Sequence, residues 1–228
     1  MDTLPTDDRS PMTTTTPRSR VLTLVGVVVV LVVLVAAGLF VLRAINKDRV
    51  AVIGDSIMAL TDPVLRATLA SQHNVDIRAV GGMEIAQMDA PADELAATKP
   101  DQVVIDLGTN DVIHGKDMAA AAKDIETMAA KFAGNRCVHL VTVNEGFFST
   151  EGKDLTTPAR QLNASIRSLA LAKGYHVVDW ADIAAKYTAA KEPNGSLTSD
   201  TIHPTDLGQH MLADAVRESV DLCKLVPL

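Results

Sequence analysis

The chain has 228 residues, 47% of them hydrophobic and 3% aromatic, with a formal net charge of −7. Residues 44–228 carry 17 Lys+Arg against 25 Asp+Glu, a balance that excludes a phosphate-neutralising nucleic-acid binder, and the scarce aromatics exclude a stacking platform for single strands. These 185 residues suit one globular domain and hardly two, and their recurring apolar runs exclude disorder.

Residues 1–20 are rich in Pro, Thr and Asp and read as a disordered tail. Val21 to Leu42 contains no charge and is bracketed by Arg20 and Arg43. As a helix it reaches about 33 Å, enough for a hydrocarbon core of about 30 Å, so residues 21–43 are expected to be a transmembrane helix. The competing reading is a cleaved signal peptide with Val35-Ala36-Ala37 as its cleavage site, but the run continues through Leu39 to Leu42, beyond a usual apolar region. Arg9, Arg18 and Arg20 before the span balance Arg43, Lys47 and Arg49 after it. A short tail inside and a long exported domain (44–228) is the simpler topology. Cys137 and Cys223 weigh the same way if they pair; two buried thiols are the equal alternative.

Beyond the span, apolar runs alternate with amphipathic stretches. Expected strands are Arg49–Ile53, Val75–Val80, Gln102–Leu107, Cys137–Val143 and Tyr175–Val178. Between them fall a short helix at Pro63–Ser71, with Asp62 as cap and Pro63 at its first position, and a helix at Pro91–Thr98. A third helix carries Met118 to Phe132 on one face, with Gly134 past its end; a fourth runs from Pro158 to Gly174. Helices near Ala181–Ala190 and Thr205–Lys224 complete the chain. Five strands separated by helices predict a three-layer α/β/α sandwich on a five-stranded parallel sheet. In such folds ligands bind beyond the carboxyl ends of the strands.

Four segments sit there. Gly54-Asp55-Ser56 after the first strand presents a hydroxyl on a tight turn, with Asp55 bonding local backbone. Gly81-Gly82 after the second lets backbone N–H groups approach a ligand. Gly108-Thr109-Asn110-Asp111 after the third offers an amide to a developing oxyanion. Asp200 and His203, just before the last helix, are spaced for a carboxylate to hold an imidazole. Each segment alone has a plain reading as a cap or turn; their arrival together at successive strand ends does not.

In these blocks, and over about Arg49 to Lys224, the chain resembles the SGNH (GDSL-type) hydrolases. The resemblance implies a flavodoxin-like sheet, Ser56 as nucleophile, His203 as base and Asp200 as its orienter. It also implies an oxyanion hole from Ser56 and Gly82 N–H groups and the Asn110 amide. Ile57 stands where the family name has Leu, and the second block is shortened to Val80-Gly81-Gly82-Met83-Glu84, which leaves Gly81 as the alternative donor. Neither a cofactor nor a metal is expected, since His73, His139, His176 and His210 show no ligand spacing with the cysteines. His114 reads as a loop histidine, Asp106 needs a partner, and Glu145, Phe147 and Phe148 either shape substrate preference or cover the core. The expected activity is that of a serine esterase held to the cell membrane through Val21–Leu42, its catalytic domain outside, acting on glycan or lipid esters. The alternatives are an O-acyltransferase using the same acyl-enzyme, a lipid ester or thioester hydrolase, and a non-catalytic binding domain.

Overall fold

The computed structural model describes residues 18–45, 47–189 and 197–223. The chain divides into two units, residues 1–46 and 47–228. In the first, helix α1 (Arg18–Ile45) runs the length of the charge-free segment. Side chains are described for residues 25–38, all of them exposed, and the valines and leucines from Val25 to Val35 are each more than half exposed. No helix among the described residues is long and apolar enough to cross a membrane. The expected tail lies outside the described residues as far as position 17, as do the expected helix ends at Ala190 and Lys224.

The second unit is an α/β domain on a five-stranded parallel sheet of order β2-β1-β3-β4-β5. The strands are β1 (Asp48–Gly54), β2 (His73–Ala79), β3 (Gln102–Asp106), β4 (Cys137–Val141) and β5 (His176–Val178). Alternation along each strand feeds two cores. Val50, Val52 and Val104 face α2 (Ser56–Leu69), α7 (Trp180–Ala189) and α8 (Asp206–Cys223). Ala51, Ile53, Val103, Ile105, Val138 and Leu140 face α3 (Asp89–Ala97), α5 (Met118–Ala130) and α6 (Thr156–Lys173). A 3₁₀ turn at Ile85–Met88 precedes α3, and a five-residue helix α4 (Thr109–Ile113) follows β3.

One boundary differs in a way that matters for function. Helix α2 begins at Ser56, not Pro63, because the Asp55 carboxylate caps it by accepting the Ile57 N–H at 3.0 Å. Pro63 sits inside the helix, where it has no N–H to donate to the carbonyl of Ala59, an exposed residue. Gly134 lies in a turn beyond the α5 cap at Lys131, whereas Gly174 caps α6 in the left-handed region, as expected.

Cys137, opening β4, and Cys223, closing α8, form a disulfide. Buried His139 lies beside it, with ring nitrogens bonded to Ser219 Oγ (2.7 Å) and Gln102 Oε1 (3.0 Å). Sequence spacing concealed this Cys137-His139-Cys223 cluster. Its sulfurs are bonded to each other and its imidazole is engaged on both sides; burial, then the neighbouring His176, pushes the imidazole down to about 3.

Candidate active site

β1 delivers the first component. A side chain at Gly54 would put Cβ 2.3 Å from Met58 Cβ, so only glycine lets the chain turn directly from strand into helix. Ser56 is therefore the first residue of α2, at the carboxyl edge of the sheet. Its Oγ lies 3.0 Å from His203 Nε2, and His203 Nδ1 lies 2.7 Å from Asp200 Oδ2. Asp200 Oδ1 also accepts the main-chain N–H groups of Ile202 (3.0 Å) and His203 (2.7 Å). Partial burial disfavours the Asp200 anion, but these bonds, led by that from the His203 ring, outweigh it and hold the carboxyl at about 2. The carboxylate stays charged and fixes the imidazole with Nε2 toward the serine hydroxyl.

The Asp200–His203 segment is itself held on α8. Thr205 N–H donates to Leu197 O and Ser199 N–H to His203 O. Gly208 of α8 packs so closely beneath that a Cβ there would fall 2.0 Å from Leu197 O.

Gly81 and Gly82 follow β2 beside the hydroxyl. A Cβ on Gly81 would lie 3.6 Å from Ser56 Cβ, and Gly82 has φ +78°, which glycine adopts without strain. The main-chain N–H groups of Ser56, Gly81 and Gly82 have no acceptor among the described residues. Asn110 enters from α4 after β3, where Gly108 (φ +120°) makes the turn. Its Nδ2 donates to Asp55 Oδ2 at 3.2 Å and to Met83 O at 3.1 Å. Both amide hydrogens are thus engaged, one by the buried Asp55 carboxyl and one by the loop after β2.

Asp55 is 1% exposed, and burial is the main reason its carboxyl rises to about 7; the bonds from Ile57 and Asn110 and the nearby His203 pull the other way. Beneath it, Asp106 is wholly buried with Oδ2 unpartnered among the described residues, and burial followed by repulsion from Asp55 raises it well above the usual range. The side-chain partner expected for Asp106 is thus not found among the described residues, and both burial and the neighbouring Asp55 favour its protonated form.

Around the cleft, His114 bonds Glu84 Oε1 at 2.8 Å, and Lys116 lies within 4 Å of Glu84, Asp111 and Asp124. This network ties the loop after β2 to the loop after β3. From the loop after β4, Phe147 enters the core, Phe148 remains exposed and Glu145 pairs with Arg160. Asn144 in the same loop went unremarked in the sequence, although the strand-end rule that finds Ser56 and Asn110 points to it as well. Its amide donates to Thr201 O at 2.9 Å, beside His203.

A model of the GDSL-like lipase/acylhydrolase family matches residues 52–211. Among solved structures, an acetyl xylan esterase superposes with a TM-score of 0.64 at 22% identity, covering 75% of this chain and 99% of that one. A GDSL-like lipase from Bacteroides thetaiotaomicron gives 0.64 at 23% identity over 79% and 90%. An acetylxylan esterase from Geobacillus stearothermophilus gives 0.60 at 18% identity over 76% and 94%. At these identities the superpositions establish the shared fold. A search of curated proteins finds no significant match.

Proposed function

The chain belongs to the GDSL-like lipase/acylhydrolase family, a family of ester-hydrolysing enzymes, and from that premise we propose that it is a membrane-anchored serine esterase working through an acyl-enzyme. The observation that carries the chemistry is the hydrogen-bonded line from Ser56 Oγ through the His203 ring to Asp200. In this reading Ser56 Oγ attacks the ester carbonyl while His203 Nε2 takes the hydroxyl proton. Asp200 stabilises the imidazolium, and His203 returns the proton to the departing alkoxide. Water, deprotonated by the same nitrogen, then attacks the acyl carbon and releases the acid and Ser56.

The developing oxyanion is met by the Ser56 and Gly82 N–H groups and by Asn110. A charged oxygen competes well for the amide hydrogen that Met83 O holds, because hydrogen bonds to ions are roughly twice as strong as neutral ones. The bond thus gains most in the transition state, where it accelerates the reaction.

For substrate and place, the supporting observations are separate. Esterases of acetylated xylan share the fold, and the His203 and Asp200 side chains are 38% and 53% exposed, which suits a short acyl group on a bulky polar partner such as a cell-surface glycan. The Cys137–Cys223 disulfide suits an oxidising, extracytoplasmic compartment. The charge-free Val21–Leu42 run and the apolar exposure along α1 suit lipid rather than water.

The test is turnover of an activated acetyl ester. Ser56→Ala and His203→Ala should each fall to near background, since nucleophile and base knockouts elsewhere cost on the order of 10⁶ in kcat. The double variant should be no worse than either single, and Asp200→Ala milder. Substantial activity in Ser56→Ala would overturn the nucleophile assignment, and an acyl-length series would define the substrate class.

A further inference from the structure

Between Asp200 and His203 the backbone passes through Thr201 at φ +72°, one of two non-glycine residues with positive φ among the described residues. This left-handed turn lets Asp200 meet both the main-chain N–H and the ring of His203. A β-branched residue is among the worst choices for it, and glycine would take the same angle without strain.

What threonine supplies is a second attachment point. Its Oγ1 accepts the Phe148 N–H at 3.1 Å, while its carbonyl accepts the Asn144 amide at 2.9 Å. Asn144 is itself buried and fixed, its Oδ1 accepting Gly146 N–H at 3.1 Å. The preceding residue, Val143, has both main-chain groups bonded to Asn163 of α6. The strained turn is thus pinned from a rigid neighbouring loop, by bonds comparable in size to the strain they oppose.

We propose that Asn144 is a positioning residue for the ester-hydrolysing reaction, acting through Thr201 to hold His203 in line with Ser56. This rests on the reading of Ser56 as nucleophile and His203 as base. Without the Asn144 amide, Thr201 relaxes toward negative φ and carries the imidazole away from the hydroxyl. The cost falls on proton transfer and not on substrate binding.

The experiment uses the full chain in detergent with an activated acetyl ester. Asn144→Ala should lower kcat by about 10- to 100-fold, the scale of a small misplacement of a reacting group, with KM within about twofold. Thr201→Gly, introduced into Asn144→Ala, should restore kcat at least about threefold, because glycine holds the turn without the clamp. Asn144→Asp, which keeps the side-chain volume but turns a carboxylate toward the Thr201 carbonyl, should resemble Asn144→Ala and decides the matter if the alanine variant does not fold. Wild-type kcat in both Asn144 variants, or a loss that Thr201→Gly leaves untouched, overturns the positioning role. Ser56→Ala measured alongside separates the two readings. Activity surviving there overturns the nucleophile assignment and this proposal with it, whereas inactive Ser56→Ala beside fully active Asn144→Ala overturns the positioning role alone.

Discussion

Asn110 donates its side-chain amide to Asp55 Oδ2 at 3.2 Å, while Asp55 Oδ1 caps the helix that Ser56 begins. One buried carboxyl group thus both starts the helix that carries the Ser56 hydroxyl and holds the Asn110 amide. Asp55→Asn keeps the shape but places an NH₂ opposite an NH₂, so Asn110 must turn its amide or withdraw. The expected result is a fall in kcat approaching that of Asn110→Ala, about 10²–10³ for a lost oxyanion donor, with little change in KM. Because both substitutions disable one device, the double variant should be little worse than Asn110→Ala alone. Steady-state kinetics of the three variants give the answer, and additive losses would show that Asp55 and Asn110 act separately.

The same carboxyl predicts a pH-dependent stability. Asp55 rises in the fold from 3.8 to about 7, chiefly through burial, so between those values the folded state binds a proton that the unfolded state has lost. Its contribution is therefore complete below about pH 4, lost progressively as pH rises through 7, and constant above. At about 1.4 kcal/mol per pKa unit, the stability of Asp55→Asn relative to wild type should climb by on the order of 4 kcal/mol from pH 4 to pH 7 and then level off. Urea unfolding of both proteins at four pH values checks the slope, and parallel profiles would contradict it.

How far the sequence foretold this site depends on the reach of each interaction. Strand cores such as Val103-Val104-Ile105 and the strand-end positions of Ser56, Gly82 and Asn110 were legible because apolar runs and the carboxyl-end rule are local patterns, and His203 because its acid stands three residues before it. The start of α2 was misplaced because Asp62-Pro63 mimics a helix start, whereas the deciding cap, Asp55, belongs to a motif already read as chemistry. The Asp55–Asn110 bond joins residues 55 apart, and the Asn144–Thr201 bond residues 57 apart; no local pattern encodes either. The backbone angle of Thr201 could not be read from a residue type that normally avoids it.

The disulfide closes a long loop, since Cys137 and Cys223 are 86 residues apart. Chain entropy alone assigns such a cross-link about 4–5 kcal/mol against the reduced unfolded chain. Reductant should therefore lower the urea midpoint markedly without altering the ester-hydrolysing rate at low urea. Protein purified without reductant should resist alkylation in denaturant until reductant is added. Two freely alkylated thiols at the outset would remove the disulfide support for export.

The last prediction concerns Gly208, remote from Ser56 in sequence but directly beneath the His203 segment. A methyl group there would lie 2.0 Å from Leu197 O and 3.1 Å from Pro204 Cβ. Backbone on one side and a proline on the other leave no flexible side chain to yield, so the 197–205 segment must lift from α8. That lift strains the Thr205 N–H to Leu197 O bond and draws His203 away from its 3.0 Å approach to Ser56. Overpacking of this kind costs about 1–3 kcal/mol in stability. Displacing the imidazole by even 1 Å should remove about 10²-fold in kcat. Gly134→Ala is the control, since nothing lies within 4 Å of a Cβ there, and it should leave kcat unchanged. If Gly208→Ala melts lower but keeps wild-type kcat, the His203 segment is positioned by something other than its seat on α8.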